Sequence, residues 1–548
     1  MNPVAPPHCA TTASAPLAAA LFALANLPAA EPVPAISMSA NGRLIIVGPG
    51  DAAVAWGARL AGQRDVLVLA LAECPSADEL PETPGFVFET GNAVTLSGHL
   101  GAFVLNWQQA GTTRTAECDV VLDLSPQALL RRVELPQGYA APGRDPLDQA
   151  LAVIDLLGFD GEFEKPRYVT VNERRCAHSR SLTAGCSNCI EVCATQAIVS
   201  AGDTITLDPY LCQGCGTCTT VCPSGALSYQ YPRVADAGLA IKTQLEAYRQ
   251  AGGQSPCLLF YSAQAGSQQL AILRRAGQSL PTHVIPLETW SVDSVGLDLL
   301  LGTVALGAAQ VAVLGAGSHD LAPLRQQLAL GQAILNGLGY CGEALCVIDA
   351  ADDLLAALAP RTPSLAVPPA EFRLLPDKRT TLEFIFDHLL KHAPAAAERI
   401  ELPPGAPFGA IETSTACTLC MACAGACPAS ALKAAGEAAR LSFIERNCVQ
   451  CGICARTCPE NAITLTPRLQ LKDRHHERLL RAAETFCCTA CGKAMGAKPL
   501  IDNMLAKLAG HSMFATPEAR ARLSMCADCR VIDLINTEQS TKAWEMSE

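Results

Sequence analysis

Positive charge is in short supply. Lys and Arg number 40 against 52 Asp and Glu, the formal net charge is −12, and 17% of the residues are charged. A chain with this balance lacks the basic surface that nucleic acid demands; it suits a protein that meets positively charged partner surfaces. No Lys or Arg precedes Arg43 and there is no twin arginine, so the apolar stretch Ala15–Ala30 lacks the basic flank of a secretion signal. Residues 1–42 therefore read as a Pro/Ala-rich, poorly ordered tail with room for one helix. A second apolar stretch, Val295–Gly317, is interrupted by Asp298 and Gln310, and its Gln310–Leu314 part reads as a buried parallel strand following a helix, so no membrane span is expected. No acid/base pair, activated nucleophile or open metal site stands out, which leaves bond-making chemistry to a partner and makes an enzyme the less favoured reading.

Cysteine, by contrast, is abundant. Sixteen of the 27 cysteines fall into four short runs, and three of these share one spacing: CQGCGTCTTVCP from Cys212, CTLCMACAGACP from Cys417 and CVQCGICARTCP from Cys448. Each reads C-x2-C-x2-C-x3-C-P, the run that wraps a cubane [4Fe–4S] cluster in bacterial ferredoxins. Three thiolates bind three iron corners from one tight loop, and the fourth reaches the other cluster of a pair. Zinc sites favour separated pairs of ligands and match this spacing poorly.

The remaining run, CAHSRSLTAGCSNCIEVC from Cys176 to Cys193, has Thr183 where the first ligand would stand and Ala194 in place of Pro. Either Cys176 replaces the missing thiolate or the site holds three irons; a thiolate only a few residues away favours the first. The crossover rule then gives four sets: Cys176, Cys186, Cys189 and Cys222; Cys212, Cys215, Cys218 and Cys193; Cys417, Cys420, Cys423 and Cys458; Cys448, Cys451, Cys454 and Cys427. Cys186 maps to Cys420 at an offset of 234, and Cys212 to Cys448 at 236, which marks an internal duplication of a dicluster module. Thr204–Leu207, Leu227–Tyr231, Leu441–Ile444 and Ala462–Thr466 read as the small β-pairs of such modules. Thiolates destined for clusters must stay reduced until loaded, which implies a reducing compartment and a cytoplasmic location.

At 548 residues there is material for several domains. Arg43–Val47, the GPGDAA turn, a helix over Val54–Leu60 and a strand over Asp65–Leu71 form a βαβ start, with a third strand at Asp119–Leu124. Gly48, Gly50 and Ala53 match G-x-G-x-x-A, and Glu73 stands where a ribose-binding acid would be, yet the unit is short for a complete nucleotide domain. A ligand-free truncated Rossmann-like unit is the favoured reading; bound flavin or NAD is the alternative. Between the cysteine modules, strands at Cys257–Tyr261, His283–Pro286, Gln310–Leu314 and Leu345–Ile348 alternate with helices at Gln268–Gly277, Val295–Ala308 and Leu321–Gly337, the pattern of a doubly wound parallel sheet. Cys257, Cys341 and Cys346 read as ordinary buried thiols, and His319, after the Gly315–His319 turn, as an exposed loop residue.

Beyond the last run, RHHERLLRAAETF from Arg474 reads as a solvated amphipathic helix. Two CxxC pairs follow, Cys488 with Cys491 and Cys526 with Cys529, spaced by a helix over Leu500–Ala509. Structural zinc is the favoured reading and a fifth iron–sulfur centre the alternative, with Cys487 spare. The expected organisation is multidomain, α/β plus α+β: a tail over 1–42, the truncated Rossmann-like unit over 43–150, a dicluster ferredoxin module over 151–232, the central doubly wound α/β domain over 233–400, a second dicluster module over 401–470, and a helical, zinc-ribbon-like segment over 471–548.

The segments GFDGEFEKPRYV before Cys176, CAHSRS, KRTTLEFIFDHLL from Lys378, PPGAPFGAI from Pro403, AGHSMFA and MCADCR together resemble the iron–sulfur protein encoded beside molybdenum- or tungsten-dependent formate dehydrogenases in many proteobacteria. The resemblance covers most of the chain and implies a context of formate metabolism; longer relatives carry further ferredoxin motifs ahead of Asp119, and this chain has no such run there. Three functions follow as expectations. The favoured one is a relay of four [4Fe–4S] clusters exchanging electrons with formate dehydrogenase or another redox enzyme. The others are a flavin- or NAD-dependent iron–sulfur oxidoreductase and an assembly or maturation factor for formate dehydrogenase.

Overall fold

The computed structural model describes residues 14–71, 85–349, 354–359, 367–435 and 439–545. Arg43–Gly48 is the centre of a five-stranded parallel sheet, flanked by Asp65–Ala70 and then Val87–Thr90 on one side, Val120–Asp123 and then Tyr139–Ala140 on the other. Strand residues 44–48 are all buried, as expected where both faces of a parallel sheet are covered. Helices Gly50–Leu60 and Pro146–Leu157 pack on the face carrying Leu44, Ile46, Val68 and Leu122. An antiparallel sheet of Asn92–Ser97, Phe103–Gln109 and Thr112–Cys118 covers the other face, burying Phe103, Leu105 and Trp107 against Ile45, Val47 and Val121. This second sheet was not foreseen, although Phe103–Gln109 alternates buried and half-buried residues as a strand should.

Of the residues expected to form a loose tail, the described ones from Ser14 onward include a helix and a strand that are built into two units. Helix Ala15–Ala25 starts on an N-cap from Ser14 and buries Leu17, Ala20 and Leu24 in the same core as Ile241 and Leu245 of helix Val234–Gln250. Strand Ala35–Ala40 pairs antiparallel with Gly161–Pro166. The apolar side chains of this stretch find a core that local sequence does not reveal.

Four parallel strands form the central sheet in the order Val284–Thr289, Cys257–Ser262, Gln310–Leu314, Leu345–Ile348. Helix Ala265–Arg275 and residues 354–358 cover one face through Leu270, Leu273, Leu354 and Leu358. Helices Leu297–Ala305, Ala322–Gly337, Val234–Gln250 and Lys378–Lys391 cover the other. All nine residues of Leu297–Ala305 are buried, which accounts for its membrane-like apolarity. No helix among the described residues is long and apolar enough to cross a membrane. Cys257 is buried and Cys346 half-buried, but Cys341 is exposed, contrary to the buried thiol expected, because it is Tyr340 beside it that fills the core.

Each cysteine-rich module is built on two antiparallel pairs. In the first, Val169–Val171 pairs with Leu227–Tyr229, and Ile198–Ala201 with Thr204–Leu207. In the second, Gly409–Thr413 pairs with Ile463–Leu469, and Leu432–Ala435 with Arg440–Ile444. The stretch from Arg474 is not the amphipathic helix expected: Glu477–Ala482 is a strand that extends the second module through Arg440–Ile444. The open edge of that sheet supplies backbone partners that outweigh the helical propensity of ERLLRA. Arg474 is fully buried, with its guanidinium on Glu383 at 3.0 Å, on Asp387 and on the Leu471 carbonyl, tying the module to helix Lys378–Lys391.

Candidate iron–sulfur centres and a four-cysteine site

The loops of the three regular runs share an uncommon backbone. The residues immediately before and after the middle cysteine are left-handed in each: Gly214 and Gly216 (φ 79° and 87°), Leu419 and Met421 (59° and 61°), Gln450 and Gly452 (54° and 79°). This conformation costs a non-glycine residue about 1–2 kcal/mol. Its recurrence at Leu419, Met421 and Gln450 marks loops shaped for a purpose other than their own stability. A short helix follows each loop, Thr217–Thr220, Ala422–Ala426 and Ile453–Thr457, and carries the third cysteine inward.

The irregular run is shaped differently. Ser179–Arg180 pairs with Thr183–Ala184 in a hairpin whose two-residue turn, Ser181 and Leu182, is left-handed at both positions. Below the hairpin, Gly185 N–H donates to the His178 carbonyl at 2.6 Å and Cys186 N–H to the Ala177 carbonyl at 2.9 Å. This ladder brings Cys176 beside Cys186 from upstream. Thr183 is consumed in the hairpin, and Ser187, after the second cysteine, is not left-handed.

Burial and the company of other thiols show which cysteines meet. Burial pushes the Cys189 thiol up to about 12, with Cys222, Cys186 and Cys176 adding to it, and Cys186 up to about 11, with Cys222, Cys451 and Cys176 as neighbours. Cys218 is raised well above its ordinary value by burial and then by Cys215, Cys212 and Cys193. Cys423 goes up to about 12 by burial, then through Cys417 and Cys420, with Cys458 also near. Cys448 goes up to about 12 by burial, and its thiol neighbours are Cys427 and Cys451; Cys454 is raised by burial with Cys448, Cys451 and Cys427 around it. In each module thiols of the two runs lie together, with Cys189 also near Cys218 and Cys423 near Cys454, and the four expected quartets can be drawn from them.

The donor chemistry of these quartets fits iron. Crowded, buried thiols resist ionisation unless a cation joins them, and iron supplies that charge. Backbone amides already point at the sulfurs: Ala197 N–H donates to Cys193 Sγ at 3.2 Å, Ala431 N–H to Cys427 Sγ at 3.3 Å and Ala462 N–H to Cys458 Sγ at 3.3 Å. The Gln450 amide reaches Cys448 Sγ at 3.3 Å. Such donors stabilise a reduced, more negative centre.

Two adjacent cations grip the modules from outside. Lys378 Nζ donates to the carbonyls of Thr219, Thr220 and Cys222 at 3.0, 2.6 and 3.3 Å. Arg379 donates to the carbonyls of Pro407, Arg446 and Cys448 at 3.2, 2.5 and 3.2 Å. Sequence reasoning missed both, since a basic pair at a helix start resembles any solvated turn.

At the C-terminus, the sulfurs of Cys488, Cys491, Cys526 and Cys529 all lie within 4.8 Å of one another, with Cys491 and Cys526 at 3.8 Å. Among the described residues no other group of His, Cys, Asp or Glu is drawn so tight. A tetrahedral ion with metal–sulfur bonds of about 2.3 Å sets its sulfurs about 3.8 Å apart. A hairpin of Thr485–Cys487 with Ala494–Ala497 presents the first pair, and the start of helix Ala527–Glu545 the second. Cys526 N–H donates to Cys488 Sγ at 3.2 Å, and Cys487 faces solvent.

At the N-terminal turn, a Cβ on Gly48 would lie 2.7 Å from Leu124 Cβ, so close strand packing already explains that glycine. Gly50 and Ala53 are buried in helix Gly50–Leu60, and Glu73 lies outside the described residues. His319 is half-exposed and pairs with Glu134 at 2.7 Å.

The family model of the 4Fe-4S dicluster domain matches twice, over residues 182–226 and 416–462. No curated protein matches the chain. Two such domains make this an iron–sulfur protein of electron transfer. The first match begins after Cys176, where the hairpin replaces the regular loop.

Proposed function

We infer that the chain is a polyferredoxin whose four thiol quartets each hold a [4Fe–4S] cluster and which relays electrons to or from a formate dehydrogenase. The observation that supports the reading is that thiols of both runs of a module lie together, Cys189 with Cys222, Cys218 with Cys193, Cys423 with Cys458 and Cys448 with Cys427. Residues 151–232 and 401–470 would be the two dicluster modules, flanking the central α/β domain in the order of the chain. The first quartet is Cys176, Cys186, Cys189 and Cys222, with Cys176 as the replacement ligand; the second is Cys193, Cys212, Cys215 and Cys218. The third is Cys417, Cys420, Cys423 and Cys458; the fourth is Cys427, Cys448, Cys451 and Cys454. Cysteines 488, 491, 526 and 529 would hold one zinc, because their separation suits a single ion rather than a cubane. The N-terminal unit, truncated and Rossmann-like, acts in this reading without flavin or NAD.

A cluster bound at each quartet supplies reversible one-electron storage. The chain's own residues bury the sulfurs, aim N–H donors at them and place Lys378, Arg379 and Arg456 nearby, all of which favour the reduced state. Formate oxidation itself belongs to the partner. To test the pairing, the anaerobic, oxidised protein is mixed with formate and catalytic amounts of a formate dehydrogenase. Bleaching of the visible iron–sulfur absorbance, absent without enzyme or without formate, is expected; no bleaching by formate with bleaching by dithionite would reject formate dehydrogenase as the donor.

A further inference from the structure

We propose that the two modules form one electron path, joined at a single pair of quartets, Cys176/Cys186/Cys189/Cys222 and Cys427/Cys448/Cys451/Cys454, with Lys378 and Arg379 as the positioning residues of the joint. The inference rests on the four-cluster reading and adds to it the order of the centres.

Two dicluster modules can be set together through any of four pairings of their quartets. Here separate contacts fall on the same one. Lys378 holds the Cys222 carbonyl as well as those of Thr219 and Thr220, which follow Cys218, and Arg379 holds the Cys448 carbonyl, so consecutive residues grip both modules. Arg456, in the helix between Cys454 and Cys458, donates to the carbonyls of Ala184 and, at 3.0 Å, Gly185, next to Cys186. Ile453 packs so closely on Gly185 that a Cβ there would lie 2.6 Å from Ile453 Cγ1.

The middle cysteines of the other two quartets lie in loops with other neighbours. At the Cys215 end, a Cβ on Gly214 would meet the Tyr168 ring and one on Gly216 would meet Ser294 of the central domain. At the Cys420 end, Glu460, beside Cys458, pairs with Lys507 at 2.9 Å and Asn503 at 2.7 Å of the C-terminal helix. The order along the path is therefore the Cys215, Cys186, Cys451 and Cys420 quartets.

The electrostatics of the joint also argue for a role. Lys378 and Arg379 occupy the first turn of helix Lys378–Lys391, where the helix dipole disfavours positive charge. Asp377, the N-cap, offsets part of this by accepting from Thr380 N–H at 2.7 Å and pairing with Arg175 of the first module. The six carbonyls that the two cations hold repay the rest, and the positive charge lies beside the two quartets that must share an electron. Clusters held by the four quartets would accept and pass on single electrons from an external one-electron donor with no bond or proton changing place, while Lys378 and Arg379 hold the modules together.

The experiment uses anaerobically purified full-length chain. In Cys215→Ser/Cys420→Ser, which removes the two end centres, about eight irons should remain. EPR of the dithionite-reduced variant should show two interacting spins, with split or broadened lines and accelerated relaxation. Eight irons giving the plain sum of two isolated signals would overturn the joint. Should that variant not fold, the unaltered reduced chain decides: its spectrum should require three nearest-neighbour couplings among four spins, and two independent pairs would contradict the proposal. Lys378→Met and Arg379→Met, each retaining its iron, should lower one midpoint potential apiece and weaken the coupling between modules at least twofold. Unchanged potentials and coupling in both would remove the clamp. Fewer than four clusters in the unaltered chain would instead fail the four-cluster reading, so the two failures are told apart.

Discussion

The two dicluster modules carry equivalent loops in different surroundings. Gly216 and Gly452 occupy the same position, just after the middle cysteine, with φ 87° and 79°. A Cβ on Gly216 would lie 2.5 Å from Ser294 Cβ, whereas one on Gly452 would find only the tip of Arg456 at 3.9 Å. In the third loop Met421 fills this position at φ 61°. The loop conformation thus recurs with the cysteine spacing whatever residue fills the position, and a neighbouring domain presses on it at Gly216 but not at Gly452. The irregular run teaches the complementary lesson: a hairpin with different torsions brings a cysteine from upstream beside Cys186.

The comparison can be broken or sharpened in steps. Cys451→Ser should have the largest effect, removing about four irons and destabilising the second module while the first module's EPR signal persists. Iron content unchanged in that variant would refute the quartets. Cys176→Ser should lose about one iron and yield the signal of a three-iron centre in the oxidised protein. Adding Thr183→Cys should not restore that iron, because residue 183 is held in the hairpin; full restoration would show that the regular loop can form there. Gly216→Ala should lower stability by about 3 kcal/mol, combining a left-handed alanine with overpacking, against about 1 kcal/mol for Gly452→Ala. Equal shifts in the thermal loss of visible absorbance would mean that Ser294 yields freely. Met421→Gly, the smallest change, should shift stability by less than about 1 kcal/mol by the same measure, because relief of the left-handed strain is offset by the lost packing of Met421 on the module core.

What the sequence disclosed follows the range of the forces involved. The parallel strands Cys257–Ser262 and Gln310–Leu314 are continuous apolar runs, and their pattern is local. The β-pairs beside the cysteine runs alternate over four or five residues and were equally plain. Strand Glu477–Ala482 was not, since only the distant edge at Arg440–Ile444 makes it a strand. Helix Ala15–Ala25 looked like part of a tail because the core that receives Leu17 and Leu24 comes from residues more than 200 positions later. At the candidate centres, spacing pointed to the loops but not to the hairpin beneath Cys176, and nothing local marks Lys378 and Arg379 as groups that hold both modules. The C-terminal cysteines were legible as two pairs, and their 3.8 Å approach adds a size that suits one ion.

The most direct test of the account is the iron, sulfide and zinc content of anaerobically purified chain, read together with the integrated EPR spin of the dithionite-reduced sample. Four quartets predict about sixteen irons, sixteen sulfides and four spins per chain, with one zinc. About eight irons, or iron without matching sulfide, would contradict it.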